Sequence, residues 1–223
     1  MPSQIKAKLI SQLPQKHGYW LINIELLHVI ELNIGARLTW QNNQAWLFQQ
    51  QHNELTLLSL QEWTGLNSQQ QIALECGEYN LNWSAKADQL WLGSNLSQAA
   101  VFDAGKRWHQ TPHPKGRFIA LLHADAGFAF QPKPASFMLN LAPEAIGASP
   151  LLEDWRIPNR LASSEDLPGC LEGSIVSLYQ AWLSNLDPQQ DWKVYGFLPE
   201  KDYQACLNLS QNHANIIFTA QIQ

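Results

Sequence analysis

The chain has 223 residues, 45% hydrophobic and only 15% charged, with ten tryptophans and a formal net charge of −5. That charge argues against nucleic acid as a partner, because phosphate binding needs a basic face. No run of about eighteen apolar residues occurs, so no membrane insertion through a spanning helix is expected.

A chain of this size buries roughly 70% of the surface its unfolded form exposes, so it needs no disulfide or metal to fold. Met1–Gln15 carries Lys6 and Lys8 and no continuous apolar run, so no export signal is expected and a cytoplasmic protein is. Cys76, Cys170 and Cys206 are far apart and form no Cys-x-x-Cys. They are expected to be reduced thiols serving as small buried hydrophobes.

The first part, residues 1–87, reads as strands. Tyr19–Ile24 is rich in aromatic and β-branched residues. Gly35–Trp40, Gln44–Gln49, Glu54–Leu60 and Gln71–Trp83 follow, punctuated by Asn42-Asn43, His52-Asn53 and Gly77. Short strands separated by turns predict a small antiparallel barrel or sandwich.

The second part, residues 88–223, alternates strand and helix. Leu90–Leu92 is a short apolar strand, Gly93–Gln98 a polar loop, and Ala99–Trp108 has helical spacing. Lys106, Arg107, His109, His113, Lys115 and Arg117 form a local basic cluster. It reads as a solvated helix end in preference to a phosphate or acidic-partner patch. Phe118–Leu122 is continuously apolar, as in a sheet covered on both faces. His123 follows, with no Ser or Cys nucleophile beside it in sequence, and Phe137–Leu141 predicts another strand. Leu151–Trp155 predicts one helical turn stopped by Pro158, Ile157–Ala162 an extended piece, and Pro168-Gly169 a turn. Ser174–Leu186 places Ile175, Leu178, Trp182, Leu183 and Leu186 on one helical face. Trp192–Tyr195 and Ile216–Ile222 predict the last strands, with a helix through Tyr203–Leu207 between them.

The stretch Pro150–Gly173 carries a resemblance. Its Pro-Leu-Leu-Glu-Asp-Trp, Pro-Asn-Arg-Leu-Ala-Ser and Pro-Gly-Cys runs resemble the electron-transfer subunit of dihydroorotate dehydrogenase and related proteobacterial members of the ferredoxin-reductase superfamily. The run Phe128–Pro132 resembles that family's aromatic-proline segment. The resemblance is dense from about Asp88 to Tyr195 and weaker before. It implies a ferredoxin-reductase-like fold: a shortened flavin-type β-barrel (1–87) followed by a three-layer, parallel-sheet nucleotide domain (88–223). It also implies FAD or FMN and NAD(P)H as the cofactors of the group.

The cofactor motifs depart from that pattern. The family's barrel has an Arg-Pro-x-Ser motif that holds the flavin phosphate and faces the isoalloxazine. The counterpart here, Ala45-Trp46-Leu47-Phe48, has neither cation nor hydroxyl. Trp46 and Phe48 are candidates to stack on a flavin, and plain core is the preferred reading of both. The family's glycine-rich loop keeps only Gly93, with Ser94, Asn95 and Ser97 as donors to a phosphate or, preferably, as ordinary helix caps. Asp125 matches the acid after the second strand and is the best ribose-contact candidate. The family's Cys-Gly-Pro beside the nicotinamide reads Phe197-Leu198-Pro199, so Phe197 and Leu198 are both expected to obstruct that end. The family's cysteine loop for a two-iron cluster has no counterpart, and no iron–sulfur cluster is expected. Arg160 is expected to anchor its loop.

These losses at cofactor positions, beside a retained scaffold, predict a changed role. The preferred expectation is a degenerate relative with a non-redox binding or protein-interaction role, with a protein partner or homodimer. The alternatives are an active NAD(P)H–flavin oxidoreductase with altered contacts and a regulatory subunit docked on an oxidoreductase. Any surviving nucleotide site is expected among Gly93, Ser94, Asn95, Asp125 and Pro199, with NAD(H) preferred over NADP(H).

Overall fold

Apolar side chains two residues apart build the first half of the molecule. In the computed structural model, which describes residues 3–77 and 81–222, six strands close into an antiparallel barrel. They are β1 (Ser3–Pro14), β2 (Trp20–Leu26), β3 (Arg37–Trp40), β4 (Asn43–Gln51), β5 (Glu54–Ser59) and β6 (Gln71–Gly77), paired in the order β1-β2-β5-β4-β3-β6. Ile5, Ala7 and Leu9 of β1, Ile22, Ile24 and Leu26 of β2, and Ile72, Leu74 and Cys76 of β6 point inward and are buried.

Two details of the barrel differ from expectation. Its longest strand, β1, carries a weak signal in the sequence, because Ala7 is only weakly apolar and Lys6 and Lys8 interrupt the pattern. The strand expected over Gln71–Trp83 ends at Gly77, and Leu81–Trp83 is irregular. Residues 78–80 of that expectation lie outside the described residues.

The second half is a six-stranded sheet, parallel throughout, in the order β12-β11-β8-β7-β13-β14. Its strands are β7 (Gln89–Ser94), β8 (Phe118–Ala124), β11 (Asn159–Ser163), β12 (Leu171–Glu172), β13 (Trp192–Leu198) and β14 (Ile216–Ile222), while β9 (Lys133–Pro134) and β10 (Gly147–Ala148) form a separate ribbon. The helices are α1 (Gln98–Gln110), α2 (Pro150–Asp154), α3 (Ile175–Leu183) and α4 (Glu200–Ser210). Side chains of α1 and α2 share one core with the sheet and with barrel residues Tyr19, Ile34, Trp46 and Leu58. The other face of the sheet packs on α3 and α4. The result is an antiparallel barrel followed by a three-layer α/β unit.

Phe137–Leu141 is not a strand. The Leu141 amide turns back to the Leu139 carbonyl, and Leu139 and Leu141 pack against the α3 and α4 side of the core while Met138 stands 97% exposed. Arg160 serves this loop as expected. It is buried, and its guanidinium donates to the carbonyls of Asn159 (2.7 Å) and Phe137 (2.6 Å). The basic cluster is dispersed into structural contacts: Arg117 pairs with Asp88 and covers Trp192, and Lys106 lies over Trp155.

Arg107 ties α1 to the barrel. It pairs with Asp103 one turn earlier, reaches Glu31, and donates to the Leu32 carbonyl at 2.7 Å. Asp103 is almost fully buried, and burial pushes its carboxyl up to about 7 against the opposing pull of Arg107. A carboxyl raised above its unfolded value of about 3.9 contributes stability at low pH and loses it as pH climbs through the folded value. Asp103→Asn should therefore gain stability relative to wild type between about pH 4 and 7 and keep a constant difference above that window. Urea midpoints of both proteins across this range check the point, and parallel profiles contradict it.

Candidate functional site

The chain runs from β7 outward through β8, β11 and β12, then returns to the other side of β7 with β13. That reversal puts the switch point, where ligands bind in open parallel sheets, at the carboxyl ends of β7 and its two neighbours. Gly93 and Ser94 end β7, Asp125 follows β8, and Pro199 follows β13. Gly93 is level with Phe197, and Ser94 with His123. The sequence-derived candidates Gly93, Ser94, Asn95, Ser97, Asp125 and Pro199 therefore share one edge.

Their polar atoms are largely committed to one another. Ser94 and Ser97 form a capping box at the single 3₁₀ turn that opens α1. The Ser97 hydroxyl lies 2.7 Å from the Ser94 carbonyl and 2.6 Å from the Phe197 carbonyl, and so stitches β7 to β13. Asn95, at a φ of +51°, donates to the Asp125 carboxylate at 2.6 Å and accepts from the Asp125 amide at 2.9 Å. Gly93 is needed by packing: a Cβ there would sit 2.7 Å from Val101 Cγ2 and 3.0 Å from Gln98 Cα. The glycine lets α1 close on β7.

His123 acquires partners that its sequence neighbourhood did not announce. Its Nδ1 lies 3.0 Å from Ser94 Oγ, and its Nε2 lies 3.2 Å from Ser164 Oγ and 3.7 Å from Asp125 Oδ1. Burial lowers its pKa, so the ring is held neutral. The set resembles a hydrolytic constellation only in composition. Ser94 is 1% exposed and occupied as a cap, so no substrate carbon can reach its hydroxyl.

The barrel candidates meet the same edge from the other side. Trp46 is 3% exposed, and its ring meets Phe197 edge to face with centroids 6.3 Å apart. Phe197 is in turn stacked on Trp91, which stacks on Tyr195 and Phe118. Trp46 is thus core. The two positions that the resemblance gives to the flavin phosphate motif and to the nicotinamide end are in contact with each other. Leu198 departs from expectation: strand alternation turns it to the opposite face of the sheet, among Leu90, Leu92 and Val194, so Phe197 alone faces the barrel. The residues therefore do not fit a flavin bound in the manner of the resembled family. One cation that the sequence reading missed comes from the strand beside the motif: Arg37, level with Trp46, places its guanidinium 5.5 Å from that ring. Only strand register could have found it.

Phe48 is half-buried and packs on Phe102 of α1, with ring centroids 4.8 Å apart. Both line an apolar cavity of about 190 Å³ between the barrel and α1. All three cysteines are buried, and burial pushes Cys170 up to about 11 and Cys206 up to about 12. Among the described residues, no group of three or more His, Cys, Asp or Glu is placed to hold a metal ion. No described helix is long and apolar enough to cross a membrane.

No family model matches the chain and no curated protein sequence matches it. Solved structures do. A cytochrome P450 reductase from Amycolatopsis aligns over 99% of this chain and 70% of its own, at 10% identity and a TM-score of 0.69. The ferredoxin reductase of carbazole 1,9a-dioxygenase aligns over 98% and 69%, at 11% identity and 0.63. A siderophore-interacting protein from Acinetobacter baumannii aligns over 98% and 89%, at 9% identity and 0.61. At such identities the likeness shows the fold alone: this chain has the ferredoxin-reductase-like fold.

Gly93→Ala separates packing from ligand contact. Overpacking the β7–α1 approach should cost about 1–3 kcal/mol, read as a lower urea midpoint. An unchanged midpoint would mean that the approach is loose enough to leave room for a ligand.

Proposed function

We propose that this chain is a degenerate relative of flavin- and NAD(P)H-dependent electron-transfer subunits of the dihydroorotate dehydrogenase kind, and that it has a non-redox binding or protein-interaction role. The observation that carries this reading is the Trp46–Phe197 contact. In the resembled family those two positions border a flavin and a nicotinamide, and here aromatic packing joins them. A dry aromatic seam stabilises a scaffold, and opening it for a tricyclic ring costs the packing of both residues. The polar edge supports the same reading, because its donors and acceptors satisfy one another. In this reading the barrel-like unit spans residues 1–87 and the nucleotide-type unit residues 88–223. The protein works in the cytoplasm and acts through a protein partner or a second copy of itself.

A second reading is favoured by Arg37. Its guanidinium supplies, from β3, a cation that the Ala45–Phe48 segment lacks. In that reading the chain is an active NAD(P)H–flavin oxidoreductase with altered contacts, and the exposed Asp125 carboxylate receives a ribose. A lost charge-assisted phosphate contact is worth roughly 1.5–3 kcal/mol, or about one to two decades of affinity.

An absorbance spectrum of the purified protein, before and after addition of FAD or FMN, decides between the two. The first reading expects no flavin band on purification and no saturable uptake. Stoichiometric flavin would transfer the protein to the second reading. Calorimetric titration with NADH should give weak binding at most, weakened further by Asp125→Ala, with NADPH weaker than NADH because Asp125 repels a 2′-phosphate. Tight NADH binding that Asp125→Ala leaves unchanged rejects the Asp125 edge as the nucleotide site.

A further inference from the structure

The cavity beside Phe48 has the attributes of a binding site for something much smaller than a flavin. Its walls are Leu21, Phe48 and Leu58 from the barrel, Phe102 from α1, and Ala129 and Phe130 from the loop after β8. Its volume, about 190 Å³, is a little larger than the roughly 150 Å³ apolar cavity that takes a benzene ring. It falls below the roughly 300 Å³ at which drug-sized ligands begin to fit. The space suits one or two fused rings.

Of its three polar lining residues, Gln15, Tyr19 and Gln98, the last two are buried and give it an orientation. Tyr19 lines the cavity and is 5% exposed, yet its hydroxyl makes no hydrogen bond among the described residues. A phenol hydroxyl on the wall of an apolar cavity can donate to what enters it. Burial, with the Asp125 carboxylate adding to it, pushes the phenol up to about 12, so it remains a donor at every physiological pH. Gln98, 3% exposed, also lines the cavity. Its side chain bonds the His123 carbonyl at 2.9 Å. A carbonyl only accepts, so the Gln98 atom facing it is the nitrogen, and the amide oxygen is left as an acceptor. No cation lines the cavity, and Asp125 lies close enough to act on the Tyr19 phenol. A carboxylate or phosphate entering here would be desolvated beside a like charge.

Two loops beside the cavity meet each other. The turn at residues 15–19 is tied to the loop after β8 by Lys16, which donates to Gln131 at 2.7 Å. The His17 ring packs where a side chain at Gly127 would stand, 2.6–2.7 Å from a Cβ built there, and Gly127 has a φ of +98°. The two loops are thus packed together beside the cavity.

We infer that this cavity binds a neutral, planar one- or two-ring heterocycle bearing one hydrogen-bond acceptor for Tyr19 and one donor for Gln98, of the lactam or carboxamide class. The inference rests on the reading that no flavin occupies the seam, and it names what that binding scaffold would hold.

The test uses the full chain and 2-quinolinone as the probe, titrated by calorimetry or by ligand-observed NMR. Wild type should bind saturably. Tyr19→Phe should weaken binding about five- to tenfold, the effect of one hydrogen bond of roughly 1 kcal/mol or slightly more. Its melting temperature should be unchanged, because that hydroxyl bonds nothing in the protein. Ala129→Leu, which fills the cavity from a surface loop, should abolish binding while the protein stays folded by circular dichroism. Quinolinone-4-carboxylate should bind at least tenfold more weakly than the neutral probe. Absence of saturable binding by wild type, or equal affinity in Tyr19→Phe, overturns the inference and leaves the non-redox reading standing. Flavin released from the purified protein on denaturation overturns both.

Discussion

The arrangement of the whole molecule depends on one buried aromatic seam. Trp91 sits on the central strand of the parallel sheet with no exposed surface, between Phe118 on one neighbouring strand and Tyr195 and Phe197 on the other. Trp46 extends the layer into the barrel by meeting Phe197 edge to face. Large side chains of this kind dominate burial energetics, and here they hold barrel and sheet in one continuous core. Even the indole nitrogen of Trp91 is satisfied, donating to Gln89 at 2.8 Å. A layer packed to this degree accommodates no further ring without displacing one of its own.

That seam constrains the chemistry available at the sheet edge. The edge carries a histidine, two serines, an asparagine and an aspartate close together, a set from which catalytic sites are often built. Here each polar group is matched by another from the same edge or by backbone. Ser94 caps, Ser97 stitches β7 to β13, and Asn95 and Asp125 hold each other. Burial keeps His123 neutral. A network so satisfied rigidifies the loops it joins. What it leaves open lies nearby, where the barrel, α1 and the Ala129–Phe130 loop fail to close completely and Tyr19 lines the gap.

The Pro150–Gly173 stretch and the Ala45–Phe48 and Phe197–Leu198 segments divide along physical lines. The Pro150–Gly173 stretch does scaffold work: Arg160 satisfies two backbone carbonyls, and Asn159 fastens the start of α2 through the Ser149 amide. Loss of either leaves buried polar groups without partners, a cost independent of any ligand. The Ala45–Phe48 and Phe197–Leu198 segments are apolar and buried apart from Phe48, which lines the cavity. They match the core around them.

Much of this was legible in the sequence, because it is written in periodicity and punctuation. Aromatic and β-branched content between turn signals marked the barrel strands β2 to β6. Continuous apolar runs marked β7 and β8, and β14 begins and ends where its run of Ile216–Ile222 does. Prolines and glycines bounded the segment around α2 and β11. Cysteine spacing indicated that the cysteines are core, and the resemblance of the Pro-Asn-Arg-Leu-Ala-Ser run implied that Arg160 is an anchor. The tertiary structure decided the rest, since it depends on which face a residue takes and what lies across from it. Phe197 and Leu198 are adjacent in sequence, yet the pleat sends one to the barrel and the other to the opposite core. Phe137–Leu141 has a strand's composition but is bent by its own turn and capped by Arg160. Arg37 reaches Trp46 only through strand register, and Tyr19, Gln98 and Phe130 enclose a cavity only because three separate segments converge. Local sequence carries period and propensity; it carries no information about a partner tens of residues away until the chain has closed on itself.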